Sequence, residues 1–215
     1  MRLVFLGPPG AGKGTQAQRI CAERGIPQIS TGDLFRAALA AGTKLGLEAK
    51  AFMDRGELVP DGVVCGMVAE RLAKQDAASG FILDGFPRTV AQADALDAVL
   101  QKMGQPLLAC VDFVVERSEL IRRLTRRLTC RKCGAVYNTD ALPPKAAGLC
   151  DRCGGEVYVR DDDRPETVER RLKEYDAKTA AVSGYYAGRG LLRQVNAARS
   201  LADVAVELDR LIARP

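Results

Sequence analysis

The run Gly7-Pro8-Pro9-Gly10-Ala11-Gly12-Lys13-Gly14-Thr15 follows an apolar stretch, Leu3–Leu6, and opens a helical pattern. Glycines at this spacing let the backbone wrap until successive N–H groups point inward. A helix N-terminus behind them adds the positive end of its dipole, and a lysine reaches outer phosphates. The segment therefore predicts a nucleotide phosphate cradle, with Gly10, Ala11, Gly12 and Gly14 in its backbone, Lys13 as its charge and Thr15 as the hydroxyl for Mg²⁺. The strict form of the pattern has Ser or Thr directly after the lysine, whereas here Gly14 intervenes. Two further turns offer guanidinium groups: Thr31 and Arg36 straddle a Gly-Asp helix start, and Arg88 follows Gly85-Phe86-Pro87. In parallel sheets the ligand crevice lies outside the carboxyl ends of the strands, so these turns converge on the cradle and can grip a second phosphate bidentately. Asp84 ends its strand beside the cradle, as an acid holding Mg²⁺ through water would; a turn-capping aspartate is the alternative.

A second constellation is made of sulfur. Cys130-Arg131-Lys132-Cys133-Gly134 and Cys150-Asp151-Arg152-Cys153-Gly154, with sixteen residues between the inner cysteines, have zinc-ribbon spacing. Each pair forms a knuckle whose glycine turns the backbone toward sulfur. Four thiolates leave no open ligand position, so the expected metal is structural. Zn²⁺ is the expected ion, and Fe²⁺ or Co²⁺ suits the same donors. The stretch Thr129–Val159 shows no helical pattern, and a metal is what would order so small an inserted unit. Cys21, Cys65 and Cys110 stand alone in apolar surroundings and read as buried thiols.

Positive charge gathers around this insertion. Between Arg122 and Arg171 twelve basic residues face eight acidic ones, so +4 of the chain's net +5 lies there. Arg123 and Arg127, four apart, are expected on one face of the helix entering the insertion, and Arg160 and Arg171 flank the helix leaving it. Asp162 and Asp163 are expected to orient these arginines, with capping of the following helix as the alternative. Arg126 is expected to face solvent. The chain contains no histidine, which removes His-based acid–base chemistry, His-liganded metals and Ser-His or Cys-His pairs. Arginines without histidine suit phosphoryl transfer, which needs in-line positioning and charge on the equatorial oxygens rather than a covalent protein group.

These residues need a scaffold, and 215 residues that are 47% hydrophobic and 27% charged provide one domain carrying an insertion. Short apolar runs alternate with helical stretches, which predicts an α/β fold with a parallel five-stranded sheet. Strands are expected at Arg2–Leu6, Pro27–Ser30, Phe81–Asp84, Leu107–Val114 and Leu191–Val195. Helices are expected at about Gly14–Arg24, Asp33–Ala41, Leu45–Arg55, Asp61–Gln75, Val90–Met103, Ser118–Leu128, Arg164–Tyr186 and Leu201–Ala213, with Asp61 and Ser200 at N-cap positions. No stretch reaches the roughly 20 apolar residues of a membrane span. Met1-Arg2 runs straight into Leu3–Leu6, so no signal peptide is expected; the expected compartment is the cytoplasm, where thiols stay reduced.

Four collinear motifs carry a family resemblance: the cradle with its extra Gly14, Ser30-Thr31-Gly32-Asp33-Leu34-Phe35-Arg36, Leu83-Asp84-Gly85-Phe86-Pro87-Arg88-Thr89 with Gln92, and Arg160-Asp161-Asp162-Asp163 with Arg171. From Met1 to about Tyr186 the chain resembles the nucleoside monophosphate kinases, and among them the adenylate kinase family in its long form with a zinc-binding lid. The resemblance implies a P-loop core (1–29, 60–126 and 160–215), a helical AMP-binding segment (30–59) and a zinc-ribbon lid (127–159). It implies reversible Mg²⁺-dependent transfer of the ATP γ-phosphoryl group to AMP, giving two ADP. ATP would meet Gly10–Thr15, Arg123, Arg127, Val136, Tyr137 and Arg199. AMP would meet Thr31, Arg36, Glu57, Leu58, Val59, Gly85, Phe86, Pro87, Arg88, Gln92, Arg160 and Arg171. Lys13, Arg88, Arg123, Arg160 and Arg171 would serve catalysis. Where many relatives carry Gly-Arg-Arg after Leu-Thr, this chain has Arg126-Arg127-Leu128.

A kinase for GMP or for UMP and CMP is the second reading. A nucleic-acid-stimulated ATPase is a third, set back by a ribbon whose only aromatic before Tyr158 is Tyr137, a poor stacking surface. Small-molecule nucleotides are thus the expected partners, with no nucleic acid and no membrane. A lid that must swing makes a monomer the expected state.

Overall fold

In parallel strands the apolar runs are buried on both faces, so helices must cover both sides. The computed structural model describes residues 1–213 and has this arrangement. The elements run β1 (Arg2–Leu6), α1 (Lys13–Arg24), β2 (Gln28–Ser30), α2 (Thr31–Ala40), α3 (Lys44–Arg55), α4 (Asp61–Leu72), β3 (Phe81–Asp84), α5 (Val90–Lys102) and β4 (Ala109–Val114). They continue with α6 (Arg117–Thr125), β5 (Arg127–Cys130), β6 (Val136–Asn138), β7 (Val157–Tyr158), α7 (Pro165–Glu174), α8 (Ala180–Ala187), β8 (Leu192–Asn196) and α9 (Leu201–Ala213). Residues 214 and 215, the end of the expected core segment, lie outside the described residues.

The main sheet is ordered β2-β3-β1-β4-β8, and every pairing in it is parallel. Leu3 and Phe5 face one apolar cluster with α1, α6, α7 and α9, while Val4 and Leu6 face another with α4, α5 and α8. Alternation along a single buried strand thus serves two cores. The five expected strands are all present, with ends displaced by at most two residues.

Three helices differ from expectation. The helix expected to reach Leu128 stops at Thr125, because Arg127–Cys130 pairs antiparallel with β6 and β7 in a separate three-stranded sheet. Leu128 then packs on that sheet's small core, and this ladder outweighs the local helical preference of Arg and Leu. The helix expected over Asp61–Gln75 ends at Leu72, followed by a 3₁₀ turn at Gln75–Ala77. The long helix expected over Arg164–Tyr186 begins with Pro165 in its first turn, where a missing N–H costs nothing, and is interrupted by a π-helical turn at Tyr175–Thr179. Ser200 accepts from the Asp203 N–H as an N-cap, whereas Asp61 is the first residue inside α4 and spends its carboxylate elsewhere.

Candidate functional site

The phosphate loop leaves β1 at Gly7, whose φ of +126° and whose position would put a Cβ 2.7 Å from the Phe113 carbonyl oxygen. Only glycine fits there. Gly12 precedes α1 in the left-handed region, and Lys13 begins the helix. The Lys13 ammonium donates to the carbonyls of Gly7 (2.7 Å) and Pro8 (2.8 Å), folding over its own loop. Enclosure pushes the Lys13 pKa down to about 8, opposed by the nearby Asp84 carboxylate. Asp84 stands at the end of β3, with Gln28 Nε2 donating to its Oδ2 at 3.1 Å. Burial raises its pKa, and Lys13 works against that rise. The insertion of Gly14 after the lysine now has a steric reason: a Cβ at residue 14 would sit 3.2 Å from Asp84 Oδ2. The hydroxyl that the strict pattern puts there is found one residue later, on the exposed Thr15.

Around this loop one cavity of about 550 Å³ opens at the carboxyl ends of the strands. Every residue expected at either nucleotide lines it, with one exception. Phe86 is the exception: its ring is buried in the apolar cluster beneath, against α4 and α5, so it supports the turn and does not touch the cavity.

Eight arginines line this cavity, and carboxylates hold most of them. Arg127 donates to both oxygens of the fully buried Asp163 carboxylate at 2.7 and 2.6 Å, and Arg171 donates to the same carboxylate at 2.9 Å. Arg160 grips Asp162 bidentately at 2.8 and 2.6 Å. Burial alone would raise the Asp162 pKa, but the Arg171 and Arg160 guanidiniums carry it well below the usual carboxylate range. Asp162 and Asp163 therefore orient arginines. Neither caps α7, whose N-terminus has no side-chain cap. Arg123 donates to Glu119 (2.7 Å) and to the Ala197 carbonyl (2.9 Å). Arg122 and then Arg123 hold the Glu119 pKa down at about 2. Arg36 pairs with Asp33, and Arg88 donates through Nε to the Gly85 carbonyl at 2.7 Å.

Some placements differ from the sequence reading. Arg127 opens β5 and so does not share a helix face with Arg123. Arg126 is exposed, as expected, and there it pairs with Asp140. Gln92 is buried with both ends of its amide engaged inside the protein, its oxygen accepting from the Arg88 N–H at 2.7 Å. Arg199 is tied to Glu207 at 2.9 Å. The sequence reading missed Gln28 and Glu119, since no local spacing marks a partner that lies far along the chain or gives one acid preference over its neighbours. It also missed Thr129, a buried hydroxyl lining the cavity without a protein partner.

The four cysteines of the second sheet are free thiols whose sulfurs all lie within 4.8 Å of one another, the Cys130–Cys153 and Cys133–Cys150 pairs at 3.5 Å. Tetrahedral thiolate ligation at about 2.3 Å requires sulfurs about 3.8 Å apart, so this donor set fits a single metal ion. Tyr137 lines the cavity, and its hydroxyl lies 3.3 Å from Cys150 Sγ and accepts the Asp151 N–H at 2.8 Å. It therefore also braces the ligand set from outside.

Comparison with known proteins agrees with this geometry. A family profile described as adenylate kinase matches residues 5–191. The adenylate kinase of Thermodesulfovibrio yellowstonii is 57% identical over 204 residues, 95% of each chain. That of Archaeoglobus fulgidus is 51% identical over 212 residues, 99% of this chain and 98% of its own. That of Geobacter sulfurreducens is 53% identical over 212 residues, with the same coverage. A phosphate loop, a cavity of arginines without histidine and identity above one half over nearly the whole chain lead to one assignment: the chain belongs to the adenylate kinase family and is a phosphotransferase of the nucleoside monophosphate kinase class.

Proposed function

We propose that this protein moves the γ-phosphoryl group of ATP to AMP, yielding two ADP, and runs the reaction in both directions. The observation that carries the reading is the meeting of Lys13 and eight arginines in one cavity that offers no histidine and no activated nucleophile. In the forward direction a phosphate oxygen of AMP attacks the γ-phosphorus in line, and the bond to the β–γ bridging oxygen breaks. The electron pair stays on the departing ADP. AMP's phosphate is already anionic, so no protein base is required.

The donor phosphates lie over Gly10–Thr15, with Lys13, Arg123 and Arg127 spreading their charge. The acceptor phosphate lies against Arg36 and Arg88, and Arg160 and Arg171 bridge the two. Mg²⁺ bound with ATP neutralises charge on the phosphates. Thr15 and Asp84 are the residues placed to hold its shell. The three-stranded sheet acts as a lid ordered by Zn²⁺ on Cys130, Cys133, Cys150 and Cys153, and it excludes water that would otherwise take the phosphoryl group. Among the described residues no helix is long and apolar enough to cross a membrane, and we place the reaction in the cytoplasm, carried out by a monomer without a nucleic-acid partner.

Initial rates with ATP·Mg²⁺ against AMP, GMP, UMP and CMP, on protein whose bound metal is quantified, test the reading. AMP preference with about one Zn²⁺ per chain, the stoichiometry of a four-thiolate site, is expected. Preference for another base would keep the mechanism and overturn the substrate.

A further inference from the structure

Asp61 has no part in the phosphate, magnesium or thiolate groups described above, yet it ends a chain of hydrogen bonds that leads to Arg88. It is the first residue of α4, one residue past the Glu57–Val59 stretch of the cavity wall. Among the described residues its carboxylate is paired with no cation; it accepts from two neutral donors at the start of α5. Thr89 Oγ1 donates to Oδ2 at 2.8 Å, and Gln92 Nε2 donates to Oδ1 at 2.7 Å. Gln92 Oε1 in turn accepts the backbone N–H of Arg88 at 2.7 Å.

The chemistry of these partners fixes the direction of the chain. A carboxamide has nearly the same shape either way round, but only its oxygen accepts and only its nitrogen donates. An ionised carboxylate accepts only. With Asp61 at one end, the nitrogen of Gln92 must face it, and the oxygen must face Arg88. Gln92 is 1% exposed, so water does not readily replace a lost partner, and a half-paired amide there is costly. Arg88 is held from its other side by Nε donating to the Gly85 carbonyl at 2.7 Å. Clamped at main chain and at Nε, it keeps its two terminal nitrogens for the cavity, where they have no protein partner among the described residues.

We propose that Asp61 is a positioning residue for the acceptor side of the reaction: by orienting Gln92 it fixes the main chain at Arg88 and so the angle at which that guanidinium meets the acceptor phosphate. The inference rests on the reading that Arg88 holds that phosphate. A purely structural Asp61, tying α4 to the cap of α5, would lower the melting temperature and nothing else.

The test compares Asp61→Ala and Asp61→Asn in the full-length, metal-loaded protein, reading kcat, KM for each nucleotide and the melting temperature. Alanine removes the acceptor for Gln92. Asparagine keeps one oxygen for Gln92 and can donate to Thr89, so its geometry is preserved. Asp61→Ala is expected to lower kcat/KM for AMP about tenfold or more, the scale of one lost buried hydrogen bond to a working group. KM for ATP should stay within about twofold, because the donor cradle lies on other turns. Asp61→Asn should recover most of the loss. In a Gln92→Leu background, Asp61→Ala should add little further, since both variants cut the same link. Should Asp61→Ala not fold, Asp61→Ser, whose hydroxyl is too short to reach Gln92, is read by the same split. A melting shift with unchanged AMP kinetics would overturn the proposal, as would parallel loss for ATP and AMP or an asparagine variant as poor as alanine. Near-normal turnover of Arg88→Ala would instead overturn the reading of Arg88 itself, which keeps the two failures distinguishable.

Discussion

The two walls of the cavity are built by different physics. The wall that carries the phosphate loop stands on a parallel sheet with apolar clusters on both faces, in which Leu3, Phe5, Ile82, Leu83, Val111 and Phe113 are fully enclosed. The opposite wall is a three-stranded sheet whose core is Cys130, Ala135, Tyr137, Cys150 and Val157, two of them metal-ligand candidates. The first wall is held by apolar burial, at about 25 cal/mol per Å². The second has only that small core, and on the proposed reading metal ligation, worth on the order of 10 kcal/mol, would order it. One enzyme can thus keep its loop geometry fixed while the covering element answers to a separate stabilising term. The Arg127–Asp163 and Arg171–Asp163 pairs join the two regimes.

That contrast can be broken from either side. The largest effect should come from the sheet-borne wall: Arg88→Ala should cut turnover by at least about a hundredfold, the loss of one preorganised charge-stabilising group. Its metal content should not change. Steady-state rates and metal analysis on one preparation check both. Next is the covering wall, where Cys150→Ser should lower activity about 10- to 100-fold, on the scale of a damaged metal site. It should abolish amide protection in β5–β7 while leaving β1, β3 and β4 protected in hydrogen exchange. Equal loss of protection in both sheets would mean that they fold as one unit.

The smallest effect concerns Lys13 alone. Its pKa in the free protein lies near 8, below the usual lysine value of 10.5, because enclosure disfavours the charged form. A lysine depressed in this way is a stability penalty below its folded pKa, and the penalty is relieved as pH rises through about 8. Bound phosphate reverses the balance and keeps the ammonium charged. ATP binding should therefore weaken about tenfold between pH 7 and 9, with uptake of up to one proton near pH 9. Calorimetry in two buffers of different ionisation enthalpy reads that proton directly, and pH-independent binding would show that Lys13 stays charged throughout.

What is legible in the sequence alone follows the same division. The phosphate loop, the five strands and the cysteine knuckles declare themselves because each is local: glycines at a turn, a short apolar run, two cysteines three residues apart. Arg127 was misplaced because period-3.6 spacing from Arg123 is a helix signal, and nothing nearby announces that Asn138 and Tyr158 lie on strands that will pair with this one. The partnership of Arg127 with Asp163 spans 36 residues, and a three-aspartate run gives no hint which member is buried. Phe86 sits in a motif that faces the cavity, yet its neighbours Gly85 and Pro87 line that cavity while its own ring turns into the core. Motif membership says which turn matters. Burial decides which side chain of the turn does the touching.

The rod formed by α7, the π-helical turn and α8 passes from one face of the sheet to the other: Val168 and Leu172 belong to the first apolar cluster, Val182 and Tyr186 to the second. The crossing is at the cavity, which Glu174, Tyr175 and Thr179 line. A π-helical turn replaces the i to i−4 hydrogen bonds of an α-helix by wider i to i−5 bonds, so the pitch of the rod changes just where it passes the cavity. Val168, Leu172, Val182 and Tyr186, which anchor the rod in the two cores, all lie outside that turn, so the part of the rod that departs from regular pitch is the part that lines the cavity.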